Sequence, residues 1–438
     1  MINFVQELFY MRVRTFFKLV FIFSFQLVVG QRLPDEVYME NIKTIKFNRF
    51  GEPLTYPVIS LNGPEQLELN FDDMAGGVKN YFYSFVLCNA DWSPAQMSTF
   101  DYLKGFTQVR ISTYRNSSIS FTRYTHYQAV LPDKNCVPTK SGNYLLKVYL
   151  NGDTSKLAFT KRFLVVEPKI NLGAAVLHPF GQQYFQTHHR LQIQLDIKNF
   201  DVRYPQQQIK IIALQNFRWD NHLTLTTPTF QRQDMLQYSN ENEMVMPGGK
   251  EFRWLNLRSF RLLGDRIRRQ ENTDSSFRLF VKEDQPRLPK QYFFYRDANG
   301  LFINETVEKI NPYWNADYAT VNFTFVPPSN QAYRGSDLVI MGELTNYAKD
   351  KDAKMKFNPE KGVYETSLML KQGYYDYQYS LRQFVNGKYV YNSIDTEQNA
   401  WETENAYMIL VYFRPLGGRY DELIAIRQFN SQFNKDLR

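Results

Sequence analysis

The chain is poor in the residues that usually build disulfide scaffolds and metal sites. Only two cysteines, Cys88 and Cys136, occur among 438 residues, which excludes a disulfide-rich scaffold. These two thiols could form one bridge in an oxidising compartment, and the sequence leaves open whether they pair. Of the five histidines, only His188 and His189 are adjacent. Because neighbouring side chains on a strand point to opposite faces, these two cannot easily share a metal ion.

Familiar cofactor signatures are also missing. No CxxC, HExxH or Walker spacing occurs, so the sequence lacks the motifs typical of thiol, zinc and phosphate chemistry. Asp72 and Asp73 in "FDDM" could hold calcium, but a turn whose carboxylates accept backbone amides is the favoured interpretation. We therefore predict no metal ion and no cofactor.

No apolar run of about 18 residues follows position 30, so we predict no direct membrane span. Before that position, Arg12, Arg14 and Lys18 precede the apolar run "LVFIFSFQLVV" and then Gly30. This pattern predicts a cleaved secretory signal peptide over residues 1–30, with Met1 or Met11 as the start. The mature protein is expected to be exported and soluble. Its net charge falls from +8 to about +6 and is spread along the chain, which argues against a nucleic-acid partner.

Aromatic residues are abundant, and apolar residues alternate with polar ones. The chain has 36 Phe and 30 Tyr, both of which favour strands. In "LQIQLDI" (191–197) every second residue is apolar, and "LELNF" (67–71) shows the same period. We predict an all-β protein of several immunoglobulin-like β-sandwich domains in tandem. Prolines after strands at 165–173 and 326–335 predict units at 31–168, 169–328 and 329–415, followed by a tail at 416–438.

The stretch "CNADWSPAQMSTFDYLKGF" (88–106) carries several reactive residue types. With His126 nearby in sequence, Cys88 could form a Cys/His catalytic centre. However, Cys88 ends an alternating strand and shares a face with Val86, which favours a small buried packing residue. We therefore predict that the protein is not an enzyme. Trp92 follows in a turn and is interpreted either as a lid over the end of the sandwich or as a contact for a partner.

Arginines cluster in "FRWLNLRSFRLLGDRIRR" (252–269). Arg266, Arg268 and Arg269 at its end could meet an acidic partner. The alternative is a strand with a solvated arginine face, followed by a basic loop. The three residues are candidate partner contacts.

Several long stretches resemble the type IX secretion system plug proteins of Bacteroidetes-type bacteria. They include "YPVISLNGPEQLELNFDDM", "YFYSFVLCNADWSPAQMSTFDYLKGF", "HPFGQQY" and "VYFRPLGGRYDELIAI". Together the similar stretches cover nearly the whole mature chain, although this family often has histidine where Leu87 stands here. The resemblance implies a non-enzymatic periplasmic protein that binds the large outer-membrane translocon barrel and reversibly occludes it.

The C-terminal unit is also similar to the immunoglobulin-like modules that bind glycogen and starch. In this comparison Tyr347 stands where such modules often place a tryptophan, which makes it a candidate sugar contact. Tyr375, Tyr377 and Tyr379 alternate along a strand and are predicted to be core residues. A carbohydrate-binding protein is thus the alternative function, and the competing interpretation is a shared sandwich shape without a sugar site.

Overall fold

A computed structural model describes residues 34–273, 276–287 and 292–432. The predicted signal peptide lies outside these residues. Strands dominate the regular structure, and the sheets that they form pack face to face as three sandwiches. The prediction of an all-β sandwich protein is therefore confirmed. The described residues from Asp35 onward form one compact unit.

The first sandwich is built from strands between Ile42 and Val166. One sheet has the order β1 (Ile42–Arg49), β3 (Leu67–Asp73), β8 (Thr125–Leu131) and β7 (Thr113–Asn116). The other has the order β2 (Val58–Ser60), β11 (Leu157–Val166), β10 (Gly142–Leu150), β4 (Tyr81–Cys88) and β6 (Val109–Arg110). A small ribbon joins β5 (Leu103–Gly105) to β9 (Cys136–Pro138).

The second sandwich combines distant parts of the chain. One sheet contains β12 (Asn171–Leu177), β13 (His188–Asp196), β17 (Met235–Tyr238) and β16 (Phe230–Arg232), with β18 (Val245–Pro247) paired to β13. The facing sheet has the order β15 (Leu223–Leu225), β14 (Ile209–Gln215), β29 (Ala406–Phe413) and β30 (Glu422–Asn430). The last two strands therefore return from the end of the chain.

The third sandwich is built around one long strand. This strand, β27 (Gly373–Val385), pairs with β19 (Arg253–Asn256), β22 (Phe302–Asn304), β24 (Asp337–Met341) and β28 (Lys388–Asn392). The facing sheet has the order β20 (Ile267–Thr273), β21 (Ser276–Val281), β23 (Tyr318–Phe325), β26 (Val363–Lys371) and β25 (Lys356–Asn358). Tyr375, Tyr377 and Tyr379 on β27 lie in this core, as predicted.

Helices are short and serve as connections. Among the residues that the structure describes, the α-helices are α1 (Thr99–Tyr102), α2 (Pro205–Gln208) and α3 (Glu241–Met244), and 3-10 turns lie at Pro328–Asn330, Glu343–Thr345 and Lys351–Ala353.

Strand pairing crosses the predicted unit boundaries. Strand β14 from the predicted middle unit pairs with β29 from the C-terminal unit, and β19 and β22 pair with β27. Strand β30 lies in the predicted tail and pairs along its length with β29. The predicted division into domains stays a prediction. The sandwiches of the structure take strands from more than one of the predicted units.

Candidate functional site

Trp92 lies inside the molecule, where the first and second sandwiches meet. Its ring centroid is 4.9 Å from that of Trp219 at an interplanar angle of 86°, and the side chain is 8% exposed. The Arg162 guanidinium carbon lies 4.8 Å from the Trp92 ring centroid and 5.1 Å from that of Trp219. Trp92 is therefore covered by other parts of the same chain rather than exposed for docking, and the covering surface comes from a loop more than 100 residues away in sequence.

Cys88 belongs to the same joint between sandwiches. It packs in an apolar layer with residues such as Leu164, Leu214 and Met408. Burial raises the pKa of the Cys88 thiol to about 12, so it stays protonated. Cys136 is also buried, and neither cysteine is in a disulfide in the described part of the chain. The packing role predicted for Cys88 agrees with this placement.

His126 contacts a carboxylate rather than a thiol, at the junction of the first and third sandwiches. Its Nδ1 lies 2.7 Å from Oδ1 of Asp72. The other oxygen of Asp72 accepts hydrogen bonds from Lys371 Nζ and from the Tyr318 hydroxyl, each at 2.6 Å. Burial by itself would raise the pKa of Asp72. The charge of Lys371 and the contact with His126 outweigh burial, so the pKa of Asp72 lies below its usual value. We call these four residues the Asp72 cluster.

Asp73 is also bound by protein groups, on the opposite face of the strand from Asp72. Its carboxylate accepts hydrogen bonds from Lys79 Nζ at 2.6 Å, from the Tyr81 hydroxyl at 2.9 Å and from the Ala75 amide at 3.0 Å. Within the described ranges, no group of three or more His, Cys, Asp and Glu side chains could hold a metal ion. No helix among the described residues has the length and apolar character of a membrane span.

The three candidate arginines have different surroundings. Arg266 belongs to a buried network in which its guanidinium donates to Asp284 at 2.5 Å and to the Tyr377 hydroxyl at 3.0 Å. It is therefore a structural residue rather than a surface contact. Arg268 and Arg269 are exposed on β20, where they pair with Glu283 and Glu271. Their role in partner binding stays a prediction.

Tyr347 lies in a pocket of about 200 Å³ where all three sandwiches meet. We call this cavity the junction pocket. Its aromatic wall residues are Phe47, Tyr56, Phe217, Trp219, Tyr347 and Tyr391, and its charged wall residues are Asp35, Lys161, Arg162, Asp220, Glu343 and Lys349. Because these residues are spread from position 35 to position 391, sequence spacing alone could not bring them together.

A hairpin at the end of β27 exposes several apolar side chains. We call residues 381–392 the exposed hairpin. Asn386 and Gly387 form its turn with φ of 49° and 79°, the geometry that Asn-Gly favours in two-residue hairpins. Phe384 is 66% exposed and lies opposite Tyr389, with ring centroids 5.2 Å apart. Val385 and Val390 are exposed on the other face of the hairpin. The motif "FVNGKYV" (384–390), with Asn-Gly between two apolar pairs, could have indicated this element.

A second exposed apolar surface joins loops of the first and third sandwiches. Lys309 Nζ donates to the Ile119 carbonyl at 3.3 Å, and the Phe121 ring packs 5.3 Å from Phe277. Ile119, Phe121 and Ile310 all expose their side chains there. We call these three residues the apolar loop cluster. Exposed apolar clusters of this kind often mark contacts with other proteins.

Comparison with known proteins places this arrangement in a family. Residues 42–167, which span the first sandwich, match the model of the type 9 secretion system plug protein 1st domain. The structure is similar to that of a hypothetical protein from Parabacteroides merdae, with a TM-score of 0.86 and 32% sequence identity, over 91% of this chain and 99% of that one. The chain carries a type 9 secretion system plug domain and belongs to one family with the Parabacteroides protein.

The family assignment confirms the resemblance seen in the sequence. Comparison with curated proteins finds no match. The structural similarity extends well beyond the plug domain, so the second and third sandwiches are shared with the Parabacteroides protein as well. The assignment connects the chain with the type 9 secretion system.

Proposed function

We propose that this protein is a non-enzymatic periplasmic plug that binds and reversibly occludes the outer-membrane translocon barrel of the type 9 secretion system. The observation that carries the proposal is the match of the first sandwich to a plug domain. The action is steric, because a folded body seated at the opening of a barrel blocks passage without any chemical step.

A steric plug must keep its shape when it is seated in the barrel. The contacts between the sandwiches are of a kind that resists their relative motion. The first and second sandwiches share a buried apolar layer that contains Cys88, Trp92 and Tyr412. The first and third are joined by the buried pair of Asp72 and Lys371 and by the pair of Lys46 and Glu343 at 2.5 Å. Relative motion would expose apolar surface or leave a buried charge without its partner, and both are costly.

The exposed hairpin is the surface that we assign to the contact with the barrel. Aromatic side chains are enriched in the centres of protein interfaces. Phe384 and Tyr389 offer such a centre on one face of the hairpin, and Val385 and Val390 expose apolar surface on the other face. The apolar surface of four side chains is small compared with a permanent interface. That limited size suits a plug that must leave when cargo arrives.

The absence of catalysis is part of the proposal. The reactive side chains that the sequence offered are engaged in structural contacts. Cys88 is buried with its Sγ 3.6 Å from the Val86 carbonyl, and His126 is held by Asp72 and Asn70. When Cys88 is replaced by Ser, occlusion of the barrel should therefore fall no more than the amount of folded protein falls.

Site-specific photocrosslinking in the native envelope tests the proposal. A photoreactive residue is placed at Phe384 in the exposed hairpin, at Ile310 in the apolar loop cluster, and at Glu360 as an exposed control. Mass spectrometry then identifies the crosslinked proteins. We expect Phe384 to capture an outer-membrane barrel protein and Glu360 to capture none. Capture from Ile310 alone would move the contact to the loop cluster, and repeated absence of a barrel at both positions would refute the proposal.

A further inference from the structure

Three surface loops of the first and third sandwiches are joined to one another by hydrogen bonds. The Val307 amide donates to the Arg258 carbonyl at 3.1 Å, and Lys309 Nζ donates to the Ile119 carbonyl at 3.3 Å. The loops that these bonds join comprise residues 117–123, 258–263 and 305–310. Side chains on the three loops are therefore neighbours, although they come from distant parts of the chain.

Each of these loops exposes large apolar side chains to solvent. The exposed fraction is 76% for Ile119, 55% for Phe121, 77% for Leu262, 61% for Val307 and 99% for Ile310. We call these five residues the apolar tip. The fold itself buries little of their apolar surface, and exposed apolar clusters mark contacts with other proteins or with membranes.

Basic side chains lie among the residues of the apolar tip. Arg261 directly precedes Leu262, and Arg123 follows two positions after Phe121; both arginines are exposed. Within the described ranges, neither guanidinium has a hydrogen bond or an ion pair. Lys309 Nζ donates to a backbone carbonyl rather than to a carboxylate. These three positive charges are therefore not neutralised by the loops that carry them.

The acidic residues of the same loops bind groups of the protein. Glu305 pairs with Arg258 at 3.4 Å. Glu308 accepts hydrogen bonds from the Ser259 hydroxyl and from Gln372 Nε2. The three loops contain four basic and two acidic residues, so the charge that they present to a partner is positive.

The loops do not have to become ordered before they can bind. Asp317 accepts hydrogen bonds from the Phe121 and Thr122 amides, each at 3.0 Å. The Leu262 amide donates to Ser259 Oγ at 2.7 Å. Because the backbone is already held by such bonds, little conformational entropy is lost when the apolar tip contacts a surface.

A tryptophan and a further arginine lie beside the first loop. The Ser118 amide donates to the Trp314 carbonyl at 2.9 Å, and the Arg115 guanidinium carbon lies 4.5 Å from the centroid of the Trp314 ring. Tryptophan is enriched at the boundary between membrane and water. Apolar side chains with tryptophan and basic residues next to them are typical of protein surfaces that lie on a bilayer.

The shape and the charge of the apolar tip both favour a lipid surface. A protein interface needs a closely packed and complementary centre, whereas a fluid bilayer can take up separate protruding side chains. Positive charges beside them attract anionic headgroups. We propose that the apolar tip inserts into the headgroup region of an anionic phospholipid membrane, with Arg123, Arg261 and Lys309 against the lipid phosphates. This binding requires no barrel, so it goes beyond the proposed function.

Sedimentation of the purified protein with phospholipid vesicles tests the proposal. Vesicles of equal parts phosphatidylcholine and phosphatidylglycerol are compared with vesicles of phosphatidylcholine alone. We expect severalfold tighter binding to the anionic vesicles, and weaker binding as salt screens the charges. Leu262→Ser and Ile310→Ser should each weaken binding about tenfold, because each removes a large apolar side chain from the interface. Arg261→Gln should weaken it about fivefold.

Strand β16 of the second sandwich supplies matched controls. Phe230 and Arg232 are both exposed there, so Phe230→Ser and Arg232→Gln should bind the anionic vesicles like the parent. The exposed hairpin is a separate surface, and F384S/V390S should also bind them like the parent. Failure of lipid binding can therefore be told from failure of barrel binding.

Several results would overturn the proposal. They are no binding to the anionic vesicles, equal binding to anionic and neutral vesicles, and unchanged binding of both Ile310→Ser and Arg261→Gln. A protein-docking surface would give a different pattern. The variants of the apolar tip would then bind vesicles like the parent, and a photoreactive residue at Ile310 would capture a protein that Leu262→Ser no longer captures.

Discussion

At the scale of single residues, two buried carboxyl groups in the third sandwich make stability depend on pH. Asp376 accepts hydrogen bonds from the Ala298 and Gly300 amides, and Asp297 accepts one from the Phe252 amide. Burial, together with the charge of Asp297, raises the pKa of Asp376 to about 8, and burial raises the pKa of Asp297 to about 7. Both groups therefore hold protons in the folded state at pH values where the unfolded chain has released them.

The sign of the effect follows from proton linkage. Between the unfolded pKa near 4 and the folded values, the folded state binds more protons, so stability falls as pH rises. In Asp376→Asn, the free energy of unfolding should fall less steeply with pH than in the parent, by up to about 1.4 kcal/mol per pH unit. Urea unfolding at pH 5, 6, 7 and 8 measures it, with the exposed Asp234→Asn as the control. Parallel pH profiles of parent and D376N would contradict the prediction.

Lys371 offers a second prediction, because it supplies the buried cation opposite Asp72. Both side chains are 1% exposed, and their ion pair measures 2.6 Å. Lys371→Met leaves the carboxylate buried without its cation and should destabilise the protein by about 3–5 kcal/mol. The double variant D72N/K371M should recover much of this loss, because no unpaired charge remains.

The exposed pair of Lys351 and Glu40 is the matched control. Since exposed ion pairs contribute about 0–1 kcal/mol, Lys351→Met should change the midpoint of denaturant unfolding very little. If K371M and K351M lowered the free energy of unfolding equally, burial would not determine how much the Asp72 cluster contributes to stability.

At the scale of elements, the exposed hairpin should contribute to binding and little to folding. F384S and V390S remove apolar surface that the fold leaves in water, so the thermal midpoint should stay within a few degrees of the parent. Association with isolated outer membranes should fall severalfold, because both side chains belong to the assigned contact. Sedimentation of the protein with membranes measures this.

Phe230 provides a control for the hairpin variants. It is exposed to a similar degree on β16 of the second sandwich, so F230S should sediment like the parent. If F384S/V390S also behaved like the parent, the hairpin would no longer be the contact.

Alternation predicted many strands correctly, and it failed where one sandwich covers another. Leu67, Leu69 and Phe71 are core residues as their spacing indicated. Glu68 and Asn70 on the other face of β3 are buried as well. A polar strand face is normally solvated, so the pattern gave no sign that the third sandwich packs near it. The contacts of Asp72 with Lys371 and Tyr318 show why this face carries polar groups.

Order along the chain also concealed the pairing of distant strands. The breaks after residues 168 and 328 mark real strand ends, yet β29 returns beside β14. Strand pairing depends on the cross-strand contacts of the folded state, and nothing in the local pattern of β29 specifies β14 as its neighbour. For the same reason, the wall residues of the junction pocket, from Asp35 to Tyr391, could not be grouped from sequence.

At the scale of the whole molecule, Trp92, Cys88 and the Asp72 cluster lie where sandwiches meet and join them to one another. Trp92 and Arg266 are candidate partner contacts from the sequence, and in the structure both contact other parts of the same chain. Both residue types are common at interfaces, and here the interfaces lie within one chain. The family assignment was foreseen from long sequence stretches and not from any single site.

The conductance of the purified translocon barrel in a planar bilayer shows whether the protein blocks the barrel. Protein is added to the periplasmic side and then washed out. We expect the conductance to fall toward the closed level, to recover on washing, and to respond less to F384S/V390S than to F230S. Unchanged conductance at protein concentrations that saturate binding to the barrel would contradict it.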